Sequence, residues 1–269
     1  MGPGAVLSIS SQVAFGHVGN SVAVPALQAR GLPVLAVPTL VSSNHPGLGR
    51  PFGFEVTAMQ LGSLFDALYE RGALDDCAAV ITGYFVSAEQ VMAVARFLRR
   101  LRAGAHAPHV MVDAILGYDD KGLFVPEAVA KAIRDELRPL ASAIKANRFE
   151  LQWLTGHDVT DAATATVAAR QLGAQEVLVS SVPTGSSRIG NLLVTATSAD
   201  IVDTRKLAGV PKGTGDLLTA LWVAARLSGL AEQAALADAS QRLATVIAAS
   251  RRGPTLVLDP LFAAKDPCP

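Results

Sequence analysis

Short runs of consecutive apolar residues alternate along this chain with longer stretches in which apolar positions recur every three or four residues. The first pattern predicts buried strands and the second predicts helices packed on one face. Strands are expected over Ala5 to Ile9, Pro33 to Val37, Ala79 to Thr82, His109 to Val112, Ala141 to Lys145 and Glu176 to Ser180. Helices are expected over Asn20 to Arg30, closed by Gly31, over Thr57 to Arg71, ended by Gly72, and from about Ser87 to Arg102. Pro126 to Leu137 fits a helix with proline in its first turn, and further helices follow around Arg148 to Leu154 and Ala162 to Leu172. Ile189 to Val202 breaks the rhythm. Two β-like runs flank Thr197-Ser198 with no helix between them, which predicts a local antiparallel hairpin. Two strong helices, Gly215 to Ser228 and Ala231 to Arg251, complete the pattern.

Strands alternating with helices imply right-handed crossovers and a mostly parallel sheet covered on both faces. No internal repeat, low-complexity block or linker interrupts the 269 residues, so the expectation is one α/β domain over 1–269. In such sheets ligands bind beyond the carboxyl ends of the strands, and the informative residues should follow the strands.

Composition narrows the function class. Half the residues are hydrophobic and 17% are charged, with zero formal net charge. That excludes general disorder, and the absence of a basic stripe with interleaved aromatics argues against nucleic-acid binding. No apolar run reaches the roughly 18–20 residues that span a bilayer. No secretory signal is expected, and Val6 stands where a myristoylation signal needs Ser or Thr. Cys77 and Cys268 lie far apart with no CxxC pair, so ordinary thiols in a reducing cytoplasm are expected. The run Arg99 to Arg102 reads as a solvated helix end, and the tail from Pro260 as loosely ordered.

The densest chemistry lies in Lys212-Gly213-Thr214-Gly215-Asp216, directly before a long apolar helix. Small residues there leave backbone N–H groups free to face an anion, and the helix dipole favours negative charge at that end. Asp216 then has two readings. It is a helix N-terminal carboxylate after a glycine turn, or it is a general base that takes the proton of an attacking hydroxyl while the amides hold the transferring phosphoryl group. Other residues carry similar pairs of readings. Asp113 after an apolar strand caps a loop or serves a site. Asn147 is a helix N-cap in a capping-box-like arrangement with Glu150, or a ligand. Gly83-Tyr84 is a strand-end turn with a core aromatic, or a pocket wall. Ser11 is a solvated loop serine, or a substrate contact. His17 and His45 show no metal-ligand spacing.

Three separated segments resolve these alternatives by resemblance. Ser8-Ile9-Ser10-Ser11-Gln12-Val13 continues to Gly16-His17-Val18-Gly19-Asn20. Ser43-Asn44-His45 is followed by Thr82-Gly83-Tyr84 and Ser87-Ala88-Glu89-Gln90. Asp113-Ala114-Ile115-Leu116-Gly117 is followed by Asn147-Arg148-Phe149-Glu150 and Gly213 to Asp216. In order and spacing, across about residues 5 to 230, these resemble the pyridoxal kinase family of the ribokinase superfamily. The resemblance implies a ribokinase-like α/β/α sandwich that transfers the γ-phosphate of MgATP to the 5′-hydroxymethyl group of pyridoxal, pyridoxine or pyridoxamine. It further implies a cytoplasmic homodimer, with Mg²⁺ and a monovalent cation such as K⁺.

By the same resemblance Asp216 is the base, and Gly213, Thr214 and Gly215 form the anion hole. Asp113 and Glu150 organise magnesium and phosphates, partly through water, while Asn147, Ser180 and Ser181 lie near the nucleotide. Ser11 bonds the pyridine ring, and Val18, His45 and Tyr84 line its pocket. The chain departs from the family at Ala114, where proline is usual, and at Lys145-Ala146, where Thr-Pro is usual. Ser42 replaces an aromatic and Pro46 a threonine in the substrate loop. These departures keep two alternatives in view. One is a hydroxymethylpyrimidine kinase or other ring-alcohol kinase of the same fold. The other is a non-catalytic pyridoxal phosphate-binding protein.

Overall fold

A computed structural model describes residues 4–104 and 107–263. The expected alternation is present. The strands are β1 (Ala5–Phe15), β2 (Val34–Asn44), β3 (Gly53–Glu55), β4 (Cys77–Thr82), β5 (His109–Asp113), β6 (Gly117–Tyr118), β7 (Gly122–Leu123), β8 (Ala143–Asn147), β9 (Glu176–Gly185), β10 (Arg188–Thr195) and β11 (Ala199–Arg205). The helices are α1 (Asn20–Gln28), α2 (Ala58–Glu70), α3 (Ala88–Arg102), α4 (Glu127–Ala132), α5 (Arg148–Thr155), α6 (Ala162–Arg170), α7 (Thr214–Leu227), α8 (Glu232–Ala249) and α9 (Asp259–Phe262).

Nine strands form one sheet in the order β11-β10-β9-β8-β5-β4-β1-β2-β3. The six from β2 to β9 pair in parallel, whereas β3, β10 and β11 join antiparallel at the two ends. Period-two alternation along the central strands divides the apolar residues between two cores. Val6, Ala79, Met111, Ala143 and Leu178 pack with α1, α7 and α8 on one face. Leu7, Val80, Val112, Ile144 and Val177 pack with α2 to α6 on the other. This is the expected α/β/α sandwich. The neighbours of β1 are β2 on one side and β4 on the other. The winding therefore reverses between β1 and β4, and a crevice opens at their carboxyl ends.

Several expectations are corrected. β1 and β2 each extend to 11 residues, well beyond the apolar runs that marked them. The segment read as one helix from Pro126 is α4 followed by a π-helical turn over Ile133–Leu137. The tail read as loose from Pro260 begins inside α9, where Leu261 is buried. Cys77 is a buried free thiol, and Cys268 lies outside the described residues. No helix among the described residues is long and apolar enough to cross a membrane.

Candidate active site

The amino end of α7 is built against the turn that follows β1. Gly213 adopts a left-handed φ of 100°, and a Cβ there would run into the His17 carbonyl oxygen. Only glycine satisfies both conditions. His17 is itself fixed, its Nδ1 lying 2.7 Å from the Leu256 carbonyl oxygen. Asn20, wholly buried, anchors the same turn: Ser8 Oγ donates to its Oδ1 at 2.7 Å, and its Nδ2 donates to the Ser10 and Val37 carbonyls. The Gly213 to Gly215 amides and the Asp216 carboxylate thus meet residues 17–19 in a fixed relation. The backbone N–H of Gly19 faces the Asp216 carboxylate and favours its charged form. Burial, followed by the nearby charge of Asp113, nevertheless pushes the Asp216 pKa up to about 6, against the opposing pull of Gly19 and Lys145.

A cavity of about 460 Å³ opens from Asp216. All four residues expected to touch substrate, Ser11, Val18, His45 and Tyr84, line it together with Gly213 and Asp216. Its size and mixed lining suit a small organic molecule. His45 accepts the Gly47 N–H through Nδ1 at 2.9 Å, which puts its ring proton on Nε2. Burial, then Lys212 and Lys121, hold its pKa below the ordinary value, so the imidazole is neutral at pH 7.

The sequence reading missed part of this wall. Tyr118 and Phe124 come from the β6–β7 hairpin and its exit, and they join Tyr84 in an aromatic group. The Tyr84–Phe124 and Tyr118–Phe124 ring centroids are 6.5 and 5.3 Å apart. These rings supply the flat apolar surface that position 42 lacks, since Ser42 spends its hydroxyl on the Asn44 carbonyl at 3.1 Å. Lys121 and Lys212 also line the cavity, and Lys212 Nζ sits 4.2 Å from the centroid of the Tyr118 ring. The hairpin strands are two residues each, too short for any periodicity to reveal.

The carboxylates expected on the phosphate side lie beneath this cavity. Asp113 ends β5 and is buried. Its Oδ1 accepts from Lys145 Nζ at 3.0 Å and its Oδ2 from Thr219 Oγ1 at 2.7 Å. Asn147 caps α5 in a reciprocal box with Glu150 and also donates from Nδ2 to the Gly117 carbonyl at 2.8 Å. Glu150 accepts from the N–H of Leu116 at 3.0 Å and of Asn147 at 2.6 Å. The capping-box reading is therefore correct in geometry, and the box ties α5 to the Ile115–Tyr118 segment. Burial raises the Glu150 pKa to about 7 despite Lys145 beside it. Among the described residues no group of three or more His, Cys, Asp or Glu is placed to hold a metal ion. Two carboxylates engaged by protein donors fit a magnesium whose inner ligands are phosphate oxygens and water, the usual habit of this ion.

Ser180 and Ser181 need a correction. They do not follow a strand but lie within β9, which runs on to Gly185. Ser180 pairs with Asn147 at the carboxyl end of β8. Ser181 takes a left-handed φ of 61°, the one such non-glycine among the described residues. There the chain leaves β8 and continues beside β10.

Comparison with known proteins agrees with this geometry. Residues 69–256 match a family model described as phosphomethylpyrimidine kinase. A pyridoxine/pyridoxal/pyridoxamine kinase of Bordetella avium is 37% identical over 270 residues, covering 97% of this chain and 90% of the relative. The chain belongs to the pyridoxal kinase family. Among solved structures, a pyridoxal kinase from Leishmania donovani in complex with ADP and pyridoxamine is 28% identical, with a TM-score of 0.83 over 92% of this chain and 87% of that one. A pyridoxal kinase from Entamoeba histolytica is 25% identical, with a TM-score of 0.86 over 91% of this chain and 89% of that one. Membership makes the chain a pyridoxal kinase by family.

Proposed function

We propose that this pyridoxal kinase family member phosphorylates the 5′-hydroxymethyl group of pyridoxal, pyridoxine or pyridoxamine, with Asp216 as the base. One observation carries the assignment: Asp216 stands at the first turn of α7 and faces the same cavity as Ser11, His45 and Tyr84. A hydroxymethyl group directed at Asp216 gives up its proton to the carboxylate as its oxygen attacks the γ-phosphorus. The Gly213, Thr214 and Gly215 amides, at the positive end of α7, hold the charge on the transferring group. Ser11, Val18, His45 and Tyr84 seat the ring, with the Nε2–H of His45 offered to an acceptor on it. Magnesium, when bound with ATP, neutralises phosphate charge. Asp113 and Glu150 would hold it through water, and Asn147, Ser180 and Ser181 border the nucleotide. The enzyme acts in the cytoplasm as a homodimer.

A ring-alcohol kinase acting on hydroxymethylpyrimidine is the second reading, favoured by the family model's description and by Ser42 and Pro46 on the cavity wall. The test is ADP release from MgATP with each B6 vitamer and with hydroxymethylpyrimidine. Turnover with a vitamer that falls by about 10²–10⁴-fold in Asp216→Ala is the expected result. Turnover confined to hydroxymethylpyrimidine favours the second reading. Tight pyridoxal phosphate binding without ATP consumption favours a binding protein, and wild-type rates in the alanine variant remove Asp216 from the role of base.

A further inference from the structure

Among the ionic groups of the site that this mechanism does not use, Lys145 is the buried one. Lys145 lies on β8, between β5 and β9 in the middle of the sheet. Its side chain is 6% exposed, and that of its partner Asp113 is 2% exposed. A lysine so deep is rare unless paired. Its placement is also directional. β8 alternates between the two cores, and Lys145 shares the face of Ala143, toward α7. There Nζ reaches the first turn of α7, so that a Cβ built on Gly215 would lie 2.7 Å from it. Thr219, one turn further along α7, donates from Oγ1 to the other oxygen of Asp113 at 2.7 Å, with the Gly215 carbonyl 3.2 Å from the same hydroxyl. Lys145, Asp113 and Thr219 thus lock the strand ends to the loop that carries the anion hole.

We propose that Lys145 is a resident counter-charge of the phosphoryl-transfer site, bonded to Asp113 and set against the first turn of α7, that does the work a monovalent cation from solution would otherwise do. The proposal rests on the phosphotransfer reading above and deepens it. Three carboxylates gathered at one buried place repel one another and repel an incoming polyphosphate. One fixed ammonium, bonded to Asp113 and backed against Gly215, offsets part of that repulsion without waiting for an ion to bind. The 3.0 Å bond to Asp113 Oδ1, with both side chains buried, holds the ammonium in that place. Lys145 is accordingly a positioning residue: it acts on substrate through Asp113 and the Gly213 to Gly215 loop. In this chain the expected requirement for a monovalent cation disappears, and magnesium is needed only with the nucleotide.

The experiment uses the full chain, wild type and two variants, in choline, sodium and potassium chloride at matched ionic strength. Turnover of MgATP with the preferred ring alcohol and the melting temperature are both read. Wild-type turnover is expected to change by less than about twofold among the salts. Lys145→Thr opens space and removes the charge. Its turnover should fall on the order of 100-fold in choline, with about tenfold recovered in potassium or sodium. Lys145→Met removes the charge but fills the space, so it should fall as far and recover nothing. Melting of Lys145→Thr should drop by roughly 6–12 °C in choline and rise again in potassium or sodium. A merely structural lysine gives the drop in both variants with no salt-specific recovery, and that result overturns the proposal. So does a wild-type enzyme that needs potassium as much as Lys145→Thr does. Should both variants fail to fold, the wild-type salt series decides alone. Should wild type consume no ATP with any ring alcohol, the phosphotransfer reading fails while the melting series still judges Lys145.

Discussion

Asp216 carries opposed demands, and they set two measurable consequences. A general base works only when deprotonated, whereas burial and Asp113 favour its neutral form and lift its pKa from the ordinary 3.8 to about 6. Turnover should therefore fall as pH drops through about 6, well above the range of an ordinary aspartate, and kcat/KM measured from pH 5 to 9 locates that limb. An acid limb near 4 would show that the carboxylate is not held in this environment. The stability consequence has the opposite sign to that of a salt-bridged carboxylate. Between pH 3.8 and 6 the folded chain keeps a proton that the unfolded chain has released, so ionisation above pH 6 works against the fold. Asp216→Asn should then melt no lower than wild type at pH 7, by calorimetry, while losing turnover. A clear drop in its melting temperature would mean that the charge is supported rather than merely tolerated.

At the scale of elements, the cavity wall is held by side chains that never touch substrate. Gln90, in the first turn of α3, is 2% exposed. Its Nε2 donates to the Thr39 and Val56 carbonyls at 2.8 and 2.6 Å, and its Oε1 accepts from the Val86 N–H at 2.9 Å. Thr39 in turn donates from Oγ1 to the Tyr84 carbonyl at 2.7 Å. One glutamine thus joins β2, the entry to α2 and the Tyr84 turn. Gln90→Leu keeps the volume but strands the Val56 carbonyl and the Val86 N–H, while the Thr39 carbonyl keeps the Val56 N–H, and should cost about 2–4 kcal/mol in urea unfolding. It should also raise KM for the ring substrate more than it lowers kcat, because Tyr84 loses its backing while Asp216 does not. Equal effects on both constants would argue against that division.

The same elements show what is legible in a sequence. Central strands such as β4 and β5 announce themselves through unbroken apolar runs, because both faces are covered. The second half of β1, Ser10 to Phe15, is mostly polar or small because it leaves the core to line the site, so its strand character is hidden. β3 is held by pairing with β2 rather than by local preference, and the β6–β7 hairpin rests on only two residue pairs, Gly117 with Leu123 and Tyr118 with Gly122. Lys145 is the sharpest case. A lysine reads as a surface residue, and only the order of strands, with β8 between β5 and β9, puts it beneath the anion loop. Asp216, Asp113 and the Ser11–Tyr84 pocket were legible because motif and strand end coincide. Tyr118, Lys121 and Phe124 were not, because their hairpin has no motif.

The whole molecule leaves one edge of its sheet open on a conspicuously apolar side. β3 ends the sheet, and pairing of Ser43 with Phe52, Val41 with Phe54 and Phe15 with Asn44 gathers aromatic residues there. Phe52 is 76% exposed, Phe54 63%, Met59 at the start of α2 79%, and Phe15 58%. Large exposed apolar groups gathered on one edge mark an interaction surface, and an unpaired edge strand invites a partner. A second copy is the partner, since the proposed homodimer needs a self-complementary patch and the two most exposed large apolar residues described, Met59 and Phe52, lie here. Phe54→Lys with Met59→Lys puts like charges on both halves of a two-fold contact. Sedimentation should show wild type as a dimer at micromolar concentration and the double variant as a monomer. The patch adjoins the Ser43–Gly53 segment, which includes His45, Pro46, Gly47 and Pro51 of the cavity wall. Loss of the contact should therefore raise KM for the ring substrate several-fold while leaving kcat, set at the far side of the cavity by Asp216, within about twofold. A wild-type chain that sediments as a monomer, or a double variant that stays dimeric, would assign that edge to some other partner or the dimer to another face.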